Sequence, residues 1–194
     1  WFYNIHYIIF RKFNNKMEYK DYIETTIVLY GDFDIQDNSQ WEEWLRSMNG
    51  YMEKLCCPPT HFAVHSKNIF TTLQIIPIRE YHKKTDRAFL DDNGINHMEL
   101  MQLPDEFEFA MYDYVARGCR IKDRIMDEAN IHLSLPNDLF LKIDQDEFIE
   151  EQKKYITFRH GEIFTLSNDE QPFFYVTGLK DEEDFETLSV IKRF

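Results

Sequence analysis

The chain of 194 residues carries 22 Lys+Arg against 35 Asp+Glu, a formal net charge of −13, with 43% hydrophobic and 16% aromatic residues. Such a length suits one domain with its own apolar core, and so rich an aromatic content excludes a wholly disordered chain. The acid excess excludes a general nucleic-acid or anionic-membrane binder, which needs a basic footprint, and no apolar run approaches the ~20 residues that span a bilayer.

Residues 1–16 hold Arg11, Lys12 and Lys16 and no acid, so the stretch from Met17 onward is more acidic still. The segment is read as peripheral or non-native, with a fragment boundary or an edge element as the other readings. Residues 17–194 are expected to form a single domain. Cys56, Cys57 and Cys119 are odd in number and two are adjacent, which suits reduced thiols in a cytoplasmic protein better than a disulfide framework.

Tyr22 to Phe33 is rich in β-branched and aromatic residues and reads as a strand. Ser39 and Glu42 then form a capping-box pattern, and Trp41, Trp44, Leu45, Met48, Met52 and Leu55 follow at helical spacing until Pro58-Pro59 ends the helix. Thr60–Ser66 and Asn68–Ile76 read as strands about a turn at 66–68. Residues 79–96 are a long polar connection, and His97–Leu103 is a short strand.

Phe107, Phe109 and Met111 alternate with acids or small residues, so 106–116 is read as a strand, with a helix as the alternative. Across the charged span 117–129 it would pair with a strand at 130–136. Asp144 to Glu147 repeats the capping logic, and Phe148, Ile149, Gln152, Tyr155 and Ile156 form a helical face ended near Gly161. Strands are expected at 162–166 and 173–177, and the tail 181–194 fits a helix or a strand. The predicted class is α+β: a largely antiparallel sheet with two main helices packed on one face, in a pattern that allows two related β-α-β-β halves.

The chain has no glycine-rich nucleotide loop and no nucleophile elbow. His61 and His65 have a two-histidine spacing, but in an extended strand their Cα atoms lie roughly 13 Å apart, too far for one ion. No metal or cofactor is expected. Ile131-His132-Leu133-Ser134-Leu135 resembles half of the signature of the two-histidine phosphoesterases. That resemblance implies His132 as acid or base and Ser134 as a phosphate-positioning hydroxyl, with His61 as the best second histidine. Ala63 stands where the second motif has Ser or Thr.

The excess of carboxylates over any catalytic pattern favours a non-enzymatic module that binds a basic protein. Asp32, Asp34, Asp91, Asp92, Tyr112 and Tyr114 are the candidate partner-binding residues, whereas Trp41 and Trp44 fall on the apolar helix stripe. The strand Thr25-Thr26-Ile27-Val28-Leu29-Tyr30, the tryptophan-bearing helix, Gly161-Glu162-Ile163-Phe164 and the run 172–178 together resemble, in layout, acidic α+β bacterial toxin-immunity proteins. The resemblance implies a cytoplasmic neutraliser of a basic toxin, without catalysis or cofactor. The alternatives are the phosphoesterase and a structural or assembly subunit; the sequence leaves the oligomeric state open.

Overall fold

In the computed structural model, residues 22–35, 37–66, 73–80, 94–122 and 126–194 are described. The hairpin turn expected at 66–68 falls almost wholly outside them, as do most of the 79–96 connection and residues 1–16. Strand β1 (Ile23–Asp32) leads into helix α1 (Asn38–Lys54), β2 (His61–Ser66), β3 (Gln74–Pro77) and β4 (Ile95–Gln102). A one-turn helix α2 (Ala110–Asp113) precedes β5 (Ala116–Ile121) and β6 (Ala129–Pro136). The short α3 (Asn137–Phe140), then α4 (Gln145–Gln152), β7 (Thr157–Ser167), the short α5 (Pro172–Val176) and β8 (Ser189–Arg193) complete the order.

The strands form one eight-stranded sheet in the order β3-β2-β4-β5-β6-β1-β7-β8, and every adjacent pair is antiparallel. Strands β1 and β2 therefore point the same way with three strands between them, and α1 must cross that gap. Its 17 residues span about 25 Å, enough for the roughly 19 Å between the two strands. Likewise β6 and β7 are parallel to each other with β1 between them, and α4 makes that crossover. Two β-α-β-β passages, β1-α1-β2-β3 and β6-α4-β7-β8, thus run outward to opposite edges.

Helices α1 and α4 share one face, as the apolar spacing requires. Trp41, Trp44, Leu45, Met48 and Met52 join Phe148 and Ile149 over Ile27, Leu29, Ile131 and Leu133. The approach is close: a Cβ on Gly118 of β5 would lie 2.6 Å from Met48 Cγ. Burying side chains of this size supplies about 1.5–3 kcal/mol each.

The N-cap of α1 differs from expectation by two residues. Asp37, not Ser39, caps α1, its carboxylate accepting from Gln40 N at 3.3 Å and Ser39 Oγ at 2.6 Å. At the other end Cys56 takes the left-handed conformation (φ 60). Cys57 N then reaches Met52 O and Cys56 N reaches Glu53 O, both at 3.0 Å, closing the helix as a glycine would. Asp144 caps α4 as expected, accepting from Glu147 N at 3.0 Å.

Four further readings depart from the structure. Residues 106–116 hold α2 instead of a strand, because Asp113 Oδ2 accepts from Glu108 N at 2.8 Å and Phe109 N at 2.7 Å and folds the segment back on itself. The span read as charged connection carries β5. Residues 172–176 are helical, with Pro172 at the first-turn position that suits its fixed φ. Gly161 lies inside β7 and ends no helix; a Cβ there would come 2.4 Å from the Phe194 ring. In the tail, 189–193 form the edge strand β8.

Candidate functional site

The sheet face away from α1 is lined with polar side chains. Alternation along β4, β5 and β6 puts His97 and Glu99, then Arg117 and Cys119, then Asn130, His132 and Ser134 on this one face. Cross-strand register sets Glu99, Cys119 and His132 in one row. All seven are buried. Helix α5 closes the layer: Phe173 lies 4.6 Å from the Arg117 guanidinium, and its ring is 6.1 Å from His97 and 6.4 Å from His132.

Glu99 is the hub. Arg117 Nη2 donates to its Oε1 at 2.6 Å, and His97 Nε2 meets the same oxygen. Burial alone would raise this carboxyl, but Arg117 and then His97 outweigh it and hold it well below the usual carboxylate range. His97, Glu99 and Cys119 bring one nitrogen, one oxygen and one sulfur within 4.8 Å of one another, a donor set that a borderline cation such as zinc accepts. The Arg117 guanidinium occupies the cation's role beside Glu99, and burial pushes the Cys119 thiol well above its ordinary value. These groups form a closed internal ion network.

His132 is 0% exposed. Asn130 Oδ1 accepts at 2.9 Å from its Nδ1, since the Asn130 amide nitrogen is committed to Val176 O at 3.0 Å. The proton is thereby assigned to Nδ1, and Nε2 is left an acceptor with no partner among the described residues. Burial, and next the positive charge of Arg117, depress the imidazole to about 3. The Ser134 hydroxyl pairs with Thr26 Oγ1 at 2.8 Å. So the structure brings His132 and Ser134 onto one face, side by side.

It does not bring His61 to them. Residue 61 is registered with Met101, Met101 with Arg117, and Arg117 with Ser134, which separates them by three strand spacings, roughly 14 Å. Thr60 Oγ1 engages His61 Nδ1 at 3.0 Å, and His65 Nδ1 is 2.5 Å from Asn96 Oδ1. A two-histidine clamp on one phosphate is not formed by these side chains.

Next to this network a second buried carboxyl, Glu24, accepts from Tyr114 Oη at 2.8 Å and Asn168 Nδ2 at 2.6 Å. Burial raises it despite those hydrogen bonds. Tyr114, proposed from the sequence as a surface anchor, is 1% exposed and belongs to this interior network. Asp32 is exposed and pairs with Lys122; Asp34 is exposed and Tyr112 half-buried. Asp91 and Asp92 lie outside the described residues.

Sequence reasoning missed Glu24, His97, Glu99, Arg117 and Arg120. The available signal was a charge inside a β-branched or apolar run, as in Ala116-Arg117-Gly118-Cys119-Arg120-Ile121, but that run read as a polar connection. Arg120 faces α1, donates to Tyr155 O at 2.8 Å, and lies 4.1 Å and 4.4 Å from the Phe33 and Trp41 rings.

Outside the sheet, an open groove of about 590 Å³ runs between α1 and the α4 segment, lined by the acids Glu43, Glu147 and Glu151 together with the cations Arg46 and Lys54. Exposed carboxylates outnumber exposed cationic side chains by more than two to one among the described residues. No helix there is long and apolar enough to cross a membrane. Comparison with known protein families, curated proteins and solved structures finds no match.

Proposed function

We propose that this protein is a non-enzymatic binding module that engages a basic protein partner, in the manner of an inhibitor or immunity protein. One observation carries the reading: the chain has a net charge of −13, and among the described residues the acids lie mostly at the surface, with exposed carboxylates in more than twofold excess over exposed cations. Such a surface accelerates encounter with a basic patch and disfavours acidic competitors such as nucleic acid. Of the two histidines that resembled a catalytic motif, His132 is fully buried beside Phe173 and His61 lies three strands from it. A cytoplasmic setting belongs to the same reading, supported by three unpaired cysteines, two of them buried.

The test is affinity capture from native lysate on the immobilised full chain, at about 0.05 M and about 0.5 M salt, where screening lengths differ severalfold. The expected result is one basic protein retained at low salt and released at high salt. Enrichment of no basic protein at low salt overturns the reading.

A further inference from the structure

The ion network beneath α5 leaves donor atoms unused. His97, Glu99 and Cys119 present one nitrogen, one oxygen and one sulfur within 4.8 Å of one another, and all three residues are buried. Bonds of about 2.0–2.3 Å place the donors of a tetrahedral zinc roughly 3–4 Å apart. Shifts of about an ångström therefore set this trio around one ion.

A fourth donor stands beside them. His132 faces Cys119 directly across β5 and β6, and its Nε2 is a buried acceptor with no partner among the described residues. Its Nδ1–H is held by Asn130 Oδ1 at 2.9 Å, and the Asn130 amide is fixed in turn by Val176 O at 3.0 Å. Metal-binding histidines are oriented in this way: one ring nitrogen donates to a carbonyl oxygen, and the other keeps its lone pair for the ion. Arg117 donates to Glu99 Oε1. A ligating carboxylate is itself hydrogen-bonded as a rule, so the guanidinium that neutralises Glu99 in the metal-free chain can stay as its outer partner. The layer is closed, with the Phe173 ring 6.1 Å from His97 and 6.4 Å from His132. Closure suits a structural ion, which has four protein ligands, no open position, and enters as the chain folds.

We propose that His97, Glu99, Cys119 and His132 hold one structural zinc ion that ties β4, β5 and β6 together. The Cys119 thiol proton leaves to solvent, and both histidines bind as neutral imidazoles through Nε2, His97 then carrying its proton on Nδ1. The ion is a component of the fold and is independent of partner binding. In the experiment the full chain is stripped with chelator, dialysed against zinc and desalted, and its metal is counted by plasma mass spectrometry; Co(II) then replaces zinc as a visible probe. One zinc per chain is expected, with a raised thermal midpoint and, for Co(II), a thiolate charge-transfer band beside tetrahedral d–d bands. Cys119→Ala should lose that band, Cys56→Ser/Cys57→Ala should keep it, and His132→Gln should bind zinc about tenfold or more weakly. If Cys119→Ala does not fold, X-ray absorption at the zinc edge of the parent decides: one sulfur at about 2.3 Å beside lighter neighbours at about 2.0–2.2 Å is expected. Less than one retained zinc, a band that survives Cys119→Ala, unchanged affinity in His132→Gln, or a shell with no sulfur or with two would each overturn the proposal.

Discussion

His132 links stability to pH in a way that can be worked out from its surroundings. Full burial, and next the charge of the neighbouring Arg117 guanidinium, depress the ring from the ordinary 6.5 to about 3, while an unfolded chain exposes it to water. Between those two values the unfolded state binds a proton that the folded state refuses. Stability therefore rises with pH across that window, is complete above about 6.5, and falls by about 1.4 kcal/mol for each unit below it. From pH 6.5 to 5.0 the loss is about 2 kcal/mol, before the carboxylates begin to titrate in force. The assay is urea unfolding of the parent and His132→Gln at half-unit steps across that interval. Glutamine removes the titration and can still present an N–H to Asn130. The parent should lose about 2 kcal/mol more than the variant over the interval. Parallel pH profiles for the two proteins would refute the assignment of a buried neutral imidazole.

Replacing Glu99 by Gln leaves Arg117 as a buried cation without its counter-charge and is expected to cost about 3–5 kcal/mol in urea unfolding, most of it recovered when Arg117→Met is added. Glu24 acts in the opposite sense to His132: its folded value is raised by burial, so the folded state takes up a proton and stability falls as pH rises above the ordinary carboxylate range. Glu24→Gln should flatten that decline, seen as a parent-minus-variant stability difference that shrinks between pH 5 and pH 8. Gly50→Ala should raise the thermal midpoint, by about 0.5–1 kcal/mol in stability, since the added methyl meets nothing.

What the sequence revealed follows from periodicity. The stripe Trp41, Trp44, Leu45, Met48 and Met52 foretold α1 and its buried face, and proline marked its end; Asp144 foretold the start of α4. The strands expected at 22–33, 60–66, 97–103 and 130–136 are found within two residues of those bounds, because β-branched and apolar residues dominate them. Misreadings fall where a local feature overrides propensity: the Asp113 carboxylate folding back 108–113, and Pro172, with its fixed φ, opening a helix in a run of aromatic residues. The polar layer was illegible for a different reason. Arg117 and Glu99 look like surface charges until the topology brings β4 beside β5, because their pairing is cross-strand. His132 was singled out for a motif, and its neighbours Arg117 and Phe173, which decide its chemistry, are 15 and 41 residues away in the chain.

A buried ion network is a poor source of net stability, since desolvation consumes most of the attraction. Its presence beneath α5 is better explained by register. An all-antiparallel sheet is open to one-residue slips that turn every side chain to the opposite face. A slip of β5 against β4 would carry Arg117 into the apolar face beneath Met48, away from Glu99, and would remove Gly118 from a place where Met48 of α1 leaves no room for a side chain. The Ser134–Thr26 pair at 2.8 Å pins β6 to β1 in the same way, and Glu24 ties β1 to Tyr114 and Asn168 on either side of it. Each contact is satisfied in one register and lost in its neighbours, so the layer selects a single sheet at little gain in depth. A device of that kind works sealed from solvent, where a catalytic base must be reached by substrate. His132 has the burial the first role tolerates and lacks the access the second demands.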